Sequence, residues 1–224
     1  MQIIASLIKP GITTAELDII AENIIRESGA IPSFKGYQGF PFATCISVNE
    51  QVVHGFPSSR PLQNGDIVGV DVGACVEKYH ADAAITVACG NSDSRVSQLM
   101  SVTKNALALA LNEVKPNNHI GDISAVIQKE AEDNGMSVIR DLFGHGVGLK
   151  LHEDPMIPNF GVRGQGPLLK EGMVLAIEPM LVLGSHQIKV LADGWTVVTQ
   201  DGSWSAHEEH TVAVTSNGCK ILTR

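Results

Sequence analysis

The sequence predicts one mixed α+β domain built from two related halves, and three observations lead there. The segment Leu62-x-x-Gly65-x-Ile67-x-x-Val70-Asp71 is matched by Leu169-x-x-Gly172-x-Val174-x-x-Ile177-Glu178, at an offset of 107 residues. Lys9 of a Lys-Pro pair stands 20 residues before Gly29, and Lys115 of another stands 20 before Gly135, an offset of 106. Each copy reads as a helical segment followed by a strand that ends in an acid, Asp71 or Glu178. Two matches in the same order at nearly the same offset indicate an internal duplication. The halves run roughly over residues 1–94 and 95–224 of a single domain. Packed about a pseudo-two-fold axis, they would bring Asp71 and Glu178 together at the centre.

Composition narrows the function class. The chain has 224 residues, of which 44% are hydrophobic and 18% charged, enough for a sizeable core. A net charge of −8 argues against a broad nucleic-acid-binding face. The four cysteines (Cys45, Cys75, Cys89, Cys219) are widely spaced with no CxxC, which fits neither a disulfide framework nor a zinc–thiolate site. The start, MQIIASLIKPG, lacks the basic region of a signal peptide, and no apolar run approaches the length of a membrane span. A soluble, cytoplasmic, monomeric protein with no membrane or sequence-specific nucleic-acid partner is expected.

In chain order, residues 1–8 read as the tail of a helix. Thr13-x-x-Glu16 is a capping box, and Leu17, Ile20, Ala21, Ile24 and Ile25 follow at helical spacing until Gly29. Residues 33–45, rich in glycine and aromatics, form a loop or irregular strand that lines a pocket or simply packs on the core. Cys45 to Val53 reads as strand and turn; a lone His54 after it is more often structural than functional. Asp93 or Ser92 caps a buried helix closed by Pro116, and Asp122 caps another that ends at Gly135. Phe143 to Pro155 combines glycines with His145 and His152. On a regular strand seven residues apart they face opposite ways, but glycine-rich backbone can reset that phase or mark close approach to a ligand. Val174 to Ile177 is a strand. Leu181 to Thr199 reads as a meander, Thr211 to Thr215 as a last strand, and Asn217-Gly218 as the start of a tail.

The chemistry starts in the hairpin GDIVGVDVGACVEKYHAD, residues 65–82. Centred near Val76-Glu77, it places Asp71 opposite Asp82 on one face. Like charges directly opposite are destabilising unless a cation lies between them. Glu209 heads a strand expected to neighbour Glu178 as Asp82 neighbours Asp71. Four carboxylates in one site need compensation, and two divalent cations cancel their formal charge. Carboxylates with one imidazole suit a pair of cations that can activate water. Such a donor set accepts Mn, Fe(II), Co or Zn.

VVHG (52–55), VDVGACVEKYHAD (70–82), GHGVGLKLHEDP (144–155), AIEPM (176–180) and EHT (209–211), in this order, cover nearly the whole chain. They resemble the type I methionine aminopeptidases of the pita-bread metallopeptidase fold. That resemblance implies two pseudo-symmetric halves around a curved antiparallel sheet flanked by helices. It also implies a dinuclear centre of Asp71, Asp82, His145, Glu178 and Glu209, with Glu178 as general base and His54 and His152 contacting substrate. Tyr37, Phe40, Cys45 and Trp195 match the positions that line the family's methionine pocket. The implied substrate is the N-terminal methionine of nascent peptides with a small second residue, and the ribosome is an open question as partner. Phe34 and Leu151 stand where bacterial members carry Cys and Phe. His207 and Glu208 replace a glutamine and an aromatic, and a charge at Glu208 would alter metal affinity or substrate access. The lead-in before Lys9-Pro10-Gly11 is shorter than usual, which would affect packing and not ligands. The alternatives are a proline-specific aminopeptidase or dipeptidase, or a non-catalytic pita-bread protein that binds peptides.

Overall fold

The computed structural model describes residues 1–223. Helices α1 (Gln2–Leu7) and α2 (Thr14–Glu27) open the chain. The Thr13 hydroxyl accepts from the Glu16 N–H at 3.2 Å while the Glu16 carboxylate accepts from the Thr13 N–H at 2.8 Å, so the capping box starts α2 as its sequence predicts. Strands β1 (Ile31–Pro32), β2 (Cys45–Val48) and β3 (Gln51–Val53) follow. Then comes the ten-residue pair β4 (Ile67–Val76) and β5 (Tyr79–Ala88). Helices α3 (Ser94–Asn112) and α4 (Ile120–Asp133) come next. After them lie β6 (Ser137–Val138), β7 (Phe143–Gly146), β8 (Glu153–Pro158) and β9 (Val174–Ile177). The chain continues through β10 (Met180–Val182), β11 (Ile188–Val190) and β12 (Val197–Thr199). It closes with β13 (Ser205–His207), β14 (His210–Thr215) and β15 (Gly218–Ile221).

Two antiparallel sheets carry the acids. In one, β4 pairs with β5 along one edge and with β2 and β1 along the other. In the second, β9 lies between β7 and β14, with β8 outside β7 and β15 outside β14. Apolar packing divides in the same way. One core joins Ile4, Leu17 and Ala21 of the first helices to Ile46, Val68 and Val70. Another joins Leu99, Ala106, Ile123 and Ile127 of α3 and α4 to Leu175, Ile177 and Val212. Each helix pair therefore covers its own sheet with a stripe of buried aliphatic side chains.

The sheets meet where β5 runs beside β14. The buried Thr211 hydroxyl donates to the Asp82 carbonyl and accepts from the Asp82 N–H, both at 2.8 Å. One residue pair further, the Glu209 N–H donates to the Ala84 carbonyl at 2.8 Å. One threonine thus replaces two bonds of a missing ladder at the seam, and the residues it ties together carry or adjoin acids.

Several sequence expectations change. The β4–β5 turn is Glu77-Lys78, both left-handed (φ 50° and 74°), so Val76 pairs with Tyr79 and Asp82 with Gly73. Asp71 pairs with Ala84, and the two aspartates lie on a diagonal of one face, not directly opposite. His119, not Asp122, precedes α4; Asp122 sits three residues in and accepts from the His119 N–H at 2.7 Å. The stretch from Leu181 to Thr199 is not one meander. β11 pairs with β12, but β10 pairs with β13 and β6, because the chain crosses between sheets there. β13 was not expected, and the tail is strand β15.

Thr211→Val keeps the side chain's shape but strips both Asp82 backbone groups of their partner. Urea unfolding should show a loss of about 1–3 kcal/mol. Unchanged stability would mean that the seam does not depend on this hydroxyl.

Candidate metal centre

Asp71 lies in mid-β4, Asp82 near the start of β5, Glu178 just after β9 and Glu209 just before β14. Extending the β9–β14 register, in which Ile177 faces His210, sets Glu178 across from Glu209. His145 on β7 faces Ala176 of β9. All five side chains line one cavity of about 300 Å³. Ligand atoms of Asp82, His145 and Glu209 lie within 4.8 Å of one another, and all three residues are buried. His145 Nε2 is 3.7 Å from Glu178 Oε1. Its Nδ1 is 2.9 Å from the Gly146 carbonyl, which fixes Nδ1 as the donor and leaves Nε2 as a free acceptor toward the carboxylates.

Electrostatics mark this cluster as incomplete without a cation. Burial, then Asp82 and Glu178, push the Asp71 carboxyl well above the usual carboxylate range. Burial with Asp82, Glu178 and Asp71 does the same to Glu209. Burial raises Asp82 and Glu178 to about 7 each, with Glu178 adding repulsion at Asp82. Asp71 Oδ1 and Glu209 Oε1 are buried with no hydrogen-bond partner among the described residues. Buried acceptors of this kind are rare and call for an unseen partner. The donor set, four carboxylates and an imidazole with a free nitrogen, fits divalent metal ions.

His54 and His152 line the same cavity. His54 is held in a left-handed conformation (φ 57°), sparsely populated but favoured for histidine over most side chains. Gly55 beside it permits this, since a Cβ there would run into the Ile46 carbonyl. Burial lowers the His54 pKa to about 4, as it does that of His152, so both rings are neutral near pH 7. His152 Nδ1 is 2.8 Å from the Tyr37 hydroxyl, and its ring centroid is 4.3 Å from that of His145. The chain doubles back through the β7–β8 hairpin, which brings the two histidines together despite their seven-residue separation. The neighbouring glycines serve strand packing and not ligand approach. A Cβ at Gly144 would meet the Ala176 carbonyl, and one at Gly146 the Asp154 carbonyl.

The opposite lining is apolar. Phe34, Phe40, Cys45 and Leu151 are buried together with Tyr37, Phe42, Phe56 and Trp195 packed on them. Phe40 meets Trp195 edge to face at 5.1 Å. Residues 33–45 are therefore a pocket wall, and Tyr37, Phe40, Cys45 and Trp195 all line it. Glu208 does not point into this cavity. Its carboxylate accepts from the Thr86 N–H at 3.1 Å, away from the acids. Thr211 at the seam was not anticipated as part of the site, and His207, expected only as a departure from the usual glutamine, has its Nε2 3.4 Å from Glu178 Oε2. A hydroxyl directly after Glu209-His210, and a histidine two residues before Glu209, were the available signals.

Comparison with known proteins bears on family and fold. A model of metallopeptidase family M24 matches residues 1–216. Methionine aminopeptidase 1 of Bacillus subtilis is 54% identical over 217 residues, covering 97% of this chain and 88% of its own. The crystal structure of methionine aminopeptidase from Thermotoga maritima superposes with a TM-score of 0.98 at 46% identity, covering 100% of this chain and 90% of the other. A prolidase from Pyrococcus furiosus shares the fold at TM-score 0.79 and 25% identity, but this chain spans only 58% of it.

The acids give stability a defined pH dependence. Asp82 and Glu178 titrate from ordinary values of 3.8 and 4.5 when unfolded and about 7 when folded. The fold binds more protons across that window, so stability present at low pH is lost as pH rises through 7. Unfolding gives protons to the buried histidines between about pH 4 and 6.5, which opposes the acids there, so the melting temperature of chelator-stripped protein should fall between about pH 7 and pH 8.5, and Asp82→Asn should be equally or more stable at pH 8. A flat or rising profile in metal-free wild type would contradict this.

Proposed function

We infer that this chain, which belongs to metallopeptidase family M24, acts as a metal-dependent aminopeptidase that removes the N-terminal methionine of polypeptides with a small second residue. One observation carries the reading: four carboxylates and His145 line one cavity together with a cluster of aromatic side chains. The similarity to a methionine aminopeptidase over nearly its whole length favours it over the proline-specific alternative, where this chain covers barely more than half.

Asp71, Asp82, His145, Glu178 and Glu209 would hold two divalent ions, with Mn, Fe(II), Co or Zn compatible with the donors. When bound, such ions supply charge neutralisation, Lewis acidity toward a peptide carbonyl and activation of water. Glu178 serves as general base and takes a proton on a carboxylate oxygen, a task suited to a carboxyl buried among other acids. Neutral His54 and His152 hydrogen-bond the substrate around the cleaved bond, and the Tyr37 hydroxyl sets the ring of His152. The methionine side chain lies against Tyr37, Phe40, Cys45 and Trp195, where its thioether meets ring edges. The cleaved bond must reach the acids in a crowded cleft, which favours a small second residue.

Chelator-stripped protein resupplied with Mn, Fe(II), Co or Zn should release methionine from Met-Ala-Ser and far more slowly from Met-Trp-Ser. No release with any metal from folded protein would overturn the reading. Glu178→Gln should lower turnover by about 10²–10⁴-fold, the usual worth of a general base. His152→Ala should lower turnover while metal content stays normal; a loss of bound metal instead would move His152 from substrate contact to ligation.

A further inference from the structure

His207 ends β13, and its backbone is clamped. The Thr86 hydroxyl accepts from the His207 N–H at 2.9 Å and donates to the His207 carbonyl at 2.8 Å. Met180 faces it across the β10 ladder. The residue is 4% exposed, so strand pairing and packing fix where its ring points. That ring is aimed at Glu178: Nε2 stands 3.4 Å from Oε2, and it is buried with no hydrogen-bond partner among the described residues. The other oxygen of the same carboxylate, Oε1, faces His145 Nε2 at 3.7 Å. Glu178 is thus flanked by an imidazole on each side, one among the candidate metal ligands and one outside them.

The geometry points to His207 as a positioning residue that donates its Nε2–H to Glu178 Oε2 and holds that carboxylate in one orientation. This rests on the reading of Glu178 as ligand and base. A carboxylate that serves both roles must not rotate, because a turn about its terminal bond exchanges its oxygens. The β9 backbone ends at Ile177, so no ladder bond steadies Glu178 from its own strand. A donor from a separate, rigid strand supplies that restraint. Partners that orient a ligand in this way typically carry about 10–100-fold in metal affinity or activity. The arrangement also gives a use to an otherwise orphaned buried nitrogen.

The test uses full-length protein with His207→Leu, His207→Asn and His207→Gln. Gln places an amide N–H at nearly the reach of Nε2, whereas Asn stays polar but falls short. Mn(II) affinity by titration calorimetry and the visible spectrum of the Co(II) form are read without turnover; kcat and KM are then read for Met-Ala-Ser. Expected are Mn(II) binding weakened about 10–100-fold and an altered Co(II) spectrum in Leu and Asn, kcat lowered with KM little changed, and recovery in Gln. Wild-type affinity and spectrum in Leu and Asn would overturn the proposal. So would failure of Gln to recover either, which would make the imidazole itself a ligand or a packing element. If Leu does not fold, the Asn–Gln contrast decides. If wild-type protein releases no methionine, the function fails, while the Mn(II) and Co(II) readings still judge His207.

Discussion

Mutual repulsion among four carboxylates in a low-dielectric space is the constraint on which the rest of this structure depends. Asp71, Asp82, Glu178 and Glu209 line one cavity, and each is pushed toward its protonated form by burial first and by the other acids second where they contribute. Among the described residues no lysine or arginine lines that cavity. Taking charges out of water without partners costs several kcal/mol per group. The fold tolerates such a centre because strong packing surrounds it, with an aliphatic core behind each of the two acid-bearing sheets.

The same constraint explains why the acids occupy strands and strand ends and not loops. A centre assembled from like charges needs a scaffold that does not relax them apart. Asp71 and Asp82 are fixed by the β4–β5 ladder, and Asp82 is fixed again by Thr211 from β14. Glu209 is tied to β5 through its own N–H. His145 is set by the β7–β9 pairing and by its bond to the Gly146 carbonyl. Restraint also reaches the substrate side. His54 follows β3 in a left-handed conformation, and the Thr196 hydroxyl donates to its carbonyl and accepts from the Phe56 N–H. Rigidity of this kind holds donors at fixed positions before substrate arrives, which is how such sites stabilise a transition state.

Much of this was legible in the sequence because acids on alternating apolar strands are hard to explain otherwise. Asp71 interrupts Ile67-Val68-Gly69-Val70, and Glu178 ends Val174 to Ile177; both positions read directly as strand acids. The capping box of α2 and the pocket wall over residues 33–45 were also readable, the former from local chemistry and the latter from clustered aromatics. What was not readable depended on register. One residue of uncertainty in the Glu77-Lys78 turn changed a direct pair of aspartates into a diagonal one. Short strands such as β13 and β15 have too few residues to show a period, so only tertiary pairing defines them. Glu208 illustrates the same limit. Its charge suggested influence on the centre, but in the short link between β13 and β14 its carboxylate accepts from the Thr86 N–H, while His207 lies against Glu178 and Glu209 lines the cavity.

The most direct measurement is anomalous X-ray diffraction from crystals of this protein grown with Mn(II) at neutral pH. The account predicts two strong anomalous peaks among Asp71, Asp82, His145, Glu178 and Glu209, about 3.5–4 Å apart as in other two-metal hydrolytic sites. Crystals that bind Mn(II) elsewhere, or whose carboxylates pair among themselves around an empty centre at saturating Mn(II), would contradict it.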